Sequence, residues 1–301
     1  MPSALFVEHA FARFITQKYK FKLLCDYHNF EIASVLIKQE LSAGQKNIFI
    51  PHGKIRNSFK HSIFTFDYYF VFGESSTEQI LNNPARLGST KIVKTGSAFI
   101  PEDFKLPVCR NFKKVLFFSN WAVDKHPESN RGFEIVCRWA AQHPEYTLYI
   151  RLHPLEDGKY VSEQTKDIAN VVVQDKSLSL KESLENVSLT IATGSNASIE
   201  AALLNRPSIV ALDKDYNPKS ADEFESDSNF RIESYFPERA RNSEELHERI
   251  NRVTDNYDYY LRKCEEYASY HLERKQDARE YAAGILEKIM HGKEDFPFMS
   301  V

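Results

Sequence analysis

Two polar turns, each fed by an apolar run, carry the residues best suited to chemistry. The first is Arg151-Leu152-His153-Pro154, which follows the apolar run Tyr146 to Ile150. An imidazole there can donate a hydrogen bond to a phosphate, or meet it as a cation once a phosphate raises its pKa. Pro154 biases His153 towards an extended backbone. The second turn is Thr193-Gly194-Ser195-Asn196-Ala197-Ser198, set between the apolar run Leu189 to Ala192 and a helical pattern. Gly194 permits a tight turn, and Ser195, Asn196 or Ser198 can cap the helix. Backbone N–H groups at a helix start, with hydroxyls beside them, suit a phosphate. Glu200 is expected in the first helical turn, where a carboxylate complements the helix dipole. Its chemical alternative is a hydrogen bond to ribose hydroxyls.

Weaker candidates lie at other strand ends. His52-Gly53 closes the run Asn47 to Pro51, and an imidazole near neutral pKa suits a general base acting on a hydroxyl. Glu74, in the Gly73-Glu74-Ser75 turn, is the alternative base. Lys54 and Arg56 follow His52 and can meet an acidic acceptor or a phosphate; a solvated basic loop is the plain alternative. Ser119-Asn120 and Lys125-His126 follow Lys114 to Phe118, and the turn after a first strand often approaches a ligand. The Glu156-Asp157-Gly158 turn is expected to be solvated.

These turns need a scaffold that brings strand ends together. Strand-like and helix-like runs alternate with short polar turns, which argues for parallel, doubly wound sheets. In the first half, strands are expected at 21–27, 47–51, 68–72 and 91–94, with helices at 31–42 and 76–82. In the second half, strands are expected at 114–118, 146–151, 168–173, 189–192 and 208–212, with helices at 129–142, 180–185 and 198–204. Residues 100–111, with Pro101 and Pro107, read as the connection. Residues 213–241 read as a long loop or short helices, and 243–253 and 257–290 as helices. The resulting division is a short first lobe at 1–105, a second lobe at 106–255 and helices at 256–301.

Bulk properties exclude several classes. A chain of 301 residues with 42% apolar and 27% charged residues has the composition of a globular protein. A net charge of −3 gives no case for nucleic acid. The four cysteines are scattered, with no CxxC pair, so no zinc site or disulfide framework is indicated and a cytoplasmic setting is expected. No run approaches a membrane span. Ala4 to Tyr19 reads as an amphipathic helix, either packed on its own lobe or touching a membrane surface. There is no GxGxxG and no Walker loop, and Asp213-Lys214-Asp215 reads as loop charge rather than a metal-binding DxD, so no metal or cofactor is expected.

The ordered set Ile50-Pro51-His52-Gly53, Tyr69 to Glu74, Lys94 to Ser97, Arg151 to Pro154, Gly194 to Ala201 and Asn205-Arg206-Pro207 resembles bacterial glycosyltransferases of the two-Rossmann, GT-B type. Within that group it looks like the capsule and surface-polysaccharide enzymes, including polysialyltransferases and CDP-glycerol glycerophosphotransferases. The resemblance covers about residues 45–212. It implies an α/β fold of two Rossmann-like lobes with C-terminal helices. It implies that His153, Ser195 and Ser198 hold donor phosphates, that Glu200 touches the nucleotide, that His52 is tied to catalysis, and that 1–105 is the acceptor-side lobe, 106–255 the nucleotide-donor lobe and 256–301 a helical tail packing across the lobes, with the donor site in the cleft. Pro154, Gly194, Asn196 and Ser119 are expected alongside the phosphates from their turn positions. The implied donor is a CMP-, CDP- or UDP-linked sugar, the acceptor a surface polysaccharide, and the location cytoplasmic or peripheral on the inner membrane with other capsule-synthesis proteins. A short first lobe is a departure from the pattern. Two other readings stand: a UDP-sugar 2-epimerase on the same fold, and a non-catalytic nucleotide- or glycan-binding subunit.

Overall fold

The computed structural model describes residues 2–27, 32–42, 44–55, 61–101, 103–119, 127–212, 230–274 and 277–301, with only the backbone described at 2–5, 32–34 and 127–129. The chain divides into two units, 1–102 with 269–301, and 103–268. The stretch 256–301 is therefore split between them rather than forming one tail.

The first unit opens with helix α1 (Pro2–Lys18), then β1 (Leu23–Asp26), α2 (Ile32–Glu40), β2 (Lys46–Phe49), β3 (Ile63–Phe64), β4 (Tyr68–Val71), α3 (Glu74–Leu81), β5 (Leu87–Gly88) and β6 (Lys91–Lys94). Its main sheet runs β1-β2-β4-β6 in parallel, and the C-terminal β12 (Met299–Ser300) adds an antiparallel edge against β6. Successive side chains of a strand point to opposite faces, and both faces here are buried. Ile48, Tyr68, Phe70 and Val93 pack under Ala282, Ile285 and Ile289 of the C-terminal helix. Phe49, Tyr69, Val71 and Ile92 pack on the other side with Phe66 and Ile80. The strand order runs one way from β1, with no reversal.

The second unit holds β7 (Lys114–Phe118), α4 (Pro127–Gln142), β8 (Thr147–Arg151), α5 (Lys159–Thr165), β9 (Val171–Val173), α6 (Leu180–Leu184), β10 (Leu189–Ala192), α7 (Asn196–Leu203), β11 (Ser208–Val210) and α8 (Ser243–Asp255). All five strands are parallel, in the order β11-β10-β7-β8-β9. The interior strand β10 is buried at every position, as a parallel strand covered on both faces must be. The expected single helix over 257–290 is instead two, α9 (Tyr257–His271) and α10 (Ala278–Met290), and the chain passes back to the first unit within α9. α5 and the short β3, β5 and β12 were not expected from sequence. Residues 213–229, most of the expected long loop, lie outside the described residues.

Candidate functional site

The second sheet reverses its strand order at β7. β8 and β9 lie to one side and β10 and β11 to the other. A reversal of this kind opens a crevice outside the carboxyl ends of the two strands that diverge. Neighbouring strands are about 4.8 Å apart, so the ends of β10, β7 and β8 fall within about 10 Å of one another. The turns that follow these three strands begin with Thr193, Ser119 and Leu152-His153. The fold thus gathers Ser119, His153 and the Gly194-Ser195 turn at one rim. Asn120, Trp121, Lys125 and His126 lie outside the described residues.

The turn after β8 is braced from several sides. Ser119 is buried and its Oγ donates to Glu156 Oε2 at 2.7 Å. Glu156 is only 8% exposed, which overturns the expectation of a solvated turn. Its carboxylate is turned inward by the Ser119 hydroxyl. Lys176, from the loop after β9, donates to the carbonyls of Pro154 (2.9 Å) and Glu156. His153 Nδ1 accepts the N–H of Leu155 at 3.2 Å. An imidazole nitrogen that accepts carries no proton, so the neutral ring bears its hydrogen on Nε2. Burial first, and the Lys176 charge second, hold the pKa of His153 below the ordinary histidine value. His153 is therefore built as a neutral N–H donor rather than a cation. Pro154 is exposed and acts through the backbone alone.

The turn after β10 carries the helix start. Gly194 has φ of 121°, a conformation that strains any residue with a side chain. Ser195 is the N-cap, its Oγ accepting the N–H of Ala197 at 3.2 Å. Asn196 is the first helical residue. Ser198 lies in the first turn, buried, and its Oγ has no hydrogen-bond partner among the described residues. With the helix starting at Asn196, Glu200 lies in the second turn, not the first as expected. The dipole argument for it weakens accordingly. Burial pushes its pKa up to about 7, against the opposing pull of Arg151. Arg151 is itself turned towards α6, donating to Leu178 O at 2.9 Å and to Ser183 Oγ.

A glycine on α4 lets this rim close up. A Cβ on Gly132 would stand 2.3 Å from Thr193 Cγ2 and 2.6 Å from Ala211 O. Gly132, Glu156 and Lys176 are the contributors that sequence reasoning missed. Arg206 of the Asn205-Arg206-Pro207 run has a structural task instead. It is fully buried and donates to the carbonyls of Leu184 (3.1 Å), Pro107 (3.1 Å) and Leu204 (2.8 Å).

The first unit places the remaining candidates at the carboxyl ends of its own strands. His52, after β2, is exposed, with its ring edge-to-face on Tyr27 at 5.7 Å. Lys54 is 5% exposed, which rules out the solvated-loop alternative for it. The adjoining Ile55 N–H donates to Ser76 Oγ, tying this turn to α3. Glu74 is the first residue of α3 rather than part of a free turn, and it accepts from Lys94 Nζ at 2.9 Å. Arg56 lies outside the described residues.

No family model and no curated protein matches the chain. Solved structures do match. MnaA of S. aureus with UDP is 11% identical with a TM-score of 0.63, covering 98% of this chain and 83% of that one. The pneumococcal O-GlcNAc transferase GtfA, in complex with UDP and GlcNAc, is 12% identical at 0.60, covering 94% of this chain and 60% of that one. The wall teichoic acid polymerase TagF, soaked with CDPG, is 11% identical at 0.52, covering 90% and 72%. UDP-N-acetylglucosamine 2-epimerases are also among the matched structures. Likeness at these identities shows the fold: α/β, with two Rossmann-like units of the GT-B type.

Proposed function

We propose that this chain is a glycosyltransferase, or glycerophosphotransferase, that takes a nucleotide-activated donor and extends a bacterial capsule or surface polysaccharide. The observation that carries the reading is the reversal of strand order at β7 and β10 with Ser119, His153 and the Ser195-capped start of α7 at its rim. That rim suits a diphosphate: N–H donors at a helix start, a neutral imidazole N–H and small hydroxyls. Preorganised donors of this kind can stabilise a departing nucleotide, so no metal is assigned a role. Glu200 is assigned to the ribose hydroxyls. UDP in the matched MnaA and GtfA structures and CDPG in that of TagF support a pyrimidine nucleotide as the donor's carrier.

His52 is the better candidate for the base that takes a proton from the acceptor hydroxyl. It is exposed at a strand end, whereas Glu74 is held in an ion pair with Lys94 at the start of a helix. Lys54 and Arg56 are assigned to an anionic acceptor or phosphate.

A second reading, a UDP-sugar 2-epimerase, has one observation in its favour. The chain spans 81% of the Neisseria meningitidis epimerase but only 60% of GtfA. One experiment separates the two. Purified protein is incubated with UDP- and CDP-linked donors, with and without a surface-polysaccharide acceptor, and the products are resolved. Transfer predicts free nucleotide that depends on acceptor. An altered nucleotide sugar formed without acceptor would assign the epimerase. No turnover beside intact nucleotide binding would leave a binding subunit.

A further inference from the structure

An amphipathic helix on a globular protein ordinarily turns its apolar stripe inward. α1 does the reverse. Phe6 is 73% exposed, Val7 68%, Phe11 53% and Phe14 48%. Val7, Phe11 and Phe14 follow the i, i+4, i+7 spacing of one helical face. Among the described side chains of α1 only the small Ala12 and Thr16 are buried, and α1 meets α2 as its main neighbour. Polar bridges complete that contact: Glu40 at the end of α2 accepts His9 Nε2 at 3.0 Å and lies 3.8 Å from Arg13 Nε. The helix is thus held by its small and polar side, and its large apolar side chains face outward.

The charges at the C-terminal end of this face share one sign. Lys18, Lys20 and Lys22 are all exposed at and beyond the end of α1. Lys18 Nζ stands 4.7 Å above the Phe14 ring and 5.8 Å from that of Tyr19, which is itself 50% exposed. Between residues 2 and 22 the only acidic residue is Glu8, against Arg13 and the three lysines. Aromatic side chains rimmed by lysine match the boundary of a bilayer, where rings enter the acyl border and ammonium groups meet headgroups. The positive sign selects anionic lipid. A second copy of this chain carries the same basic excess along the helix, so self-pairing lacks the charge complement that an anionic surface supplies.

We infer that α1 lays the Phe6, Val7, Phe11 and Phe14 face on an anionic lipid surface, with Lys18, Lys20 and Lys22 at the headgroups. The inference is independent of the donor site, because it concerns only the first unit.

The test is co-sedimentation of the full chain with vesicles of phosphatidylcholine alone, or of phosphatidylcholine mixed with phosphatidylglycerol. Wild type is expected to partition onto the mixed vesicles. Phe11→Ser with Phe14→Ser, and separately Lys18→Glu with Lys20→Glu, are expected to weaken partition by at least about tenfold. All four positions are exposed, so thermal midpoints without lipid should match wild type and confirm folding. Three outcomes overturn the inference: no partition of wild type, equal partition of wild type and variants, or a lipid-free dimer that the phenylalanine substitutions dissolve. The last would assign the face to a second copy.

Discussion

Glu200 carries a cost in stability that its burial sets. Its folded pKa of about 7 lies above the ordinary carboxyl value of 4.5, with burial as the main cause. Between those two pH values the folded chain holds a proton that the unfolded chain releases, so folding stability falls as pH rises through that window. Above pH 7 the ionised carboxylate carries the whole burial penalty, relieved only in part by Arg151. Glu200→Gln should therefore stabilise the ligand-free protein by about 1–3 kcal/mol at pH 8, and by almost nothing near pH 4.5. The same substitution should weaken nucleotide binding, since an amide is a poorer acceptor for ribose hydroxyls than a carboxylate. Denaturant unfolding at both pH values, with and without nucleotide, checks both halves. A stability gain that does not change with pH would remove burial of charge as its cause.

Among the elements, α4 meets the turn after β10 at a glycine, Gly132. Replacing a mid-helix glycine by alanine usually stabilises, by roughly 0.5–1 kcal/mol. At Gly132 that gain is outweighed, because the new methyl would overlap Thr193 Cγ2 and the Ala211 carbonyl. Gly132→Ala is expected to lower stability by about 1–3 kcal/mol, the usual scale of an overpacked core, and to displace the turn after β10. Thermal unfolding of the variant, read with its nucleotide affinity, tests this; a neutral or stabilising effect would show that α4 can move away freely. The elements themselves were legible to different degrees. β7 and β10 match their expected residues because buried parallel strands read as unbroken apolar runs. α5 was missed because its seven residues carry little apolar pattern and its N-cap is Gly158, a glycine at φ 78° with no side-chain cap. β12 was missed because two residues become a strand only by pairing with β6. The hydroxyls and His153 were visible by type and turn position. Glu156, Lys176 and Gly132 were not, since each acts on a residue far away in sequence. Ser119 and Glu156, for example, are separated by 37 positions.

At the scale of the whole chain, the two units differ in what their sheets can do. The second has the order reversal beside which open α/β sheets bind ligands, and three of its strand ends carry the residues expected to bind phosphate. The first has a one-way order, the exposed His52 and the outward-facing α1. In the function we propose, the second unit holds a nucleotide through His153 and the start of α7. Calorimetric titration of UDP and CDP into the intact protein tests this most directly, repeated with His153→Ala and with Ser195→Ala. Losing one hydrogen bond to a charged group costs about 1.5–3 kcal/mol, so each variant should bind at least about tenfold more weakly. His153→Ala should unfold at a temperature close to wild type, and Ser195→Ala slightly below it, since losing the N-cap costs about 1 kcal/mol. Undiminished affinity in both variants, or no binding of either nucleotide by the wild type, would contradict the claim.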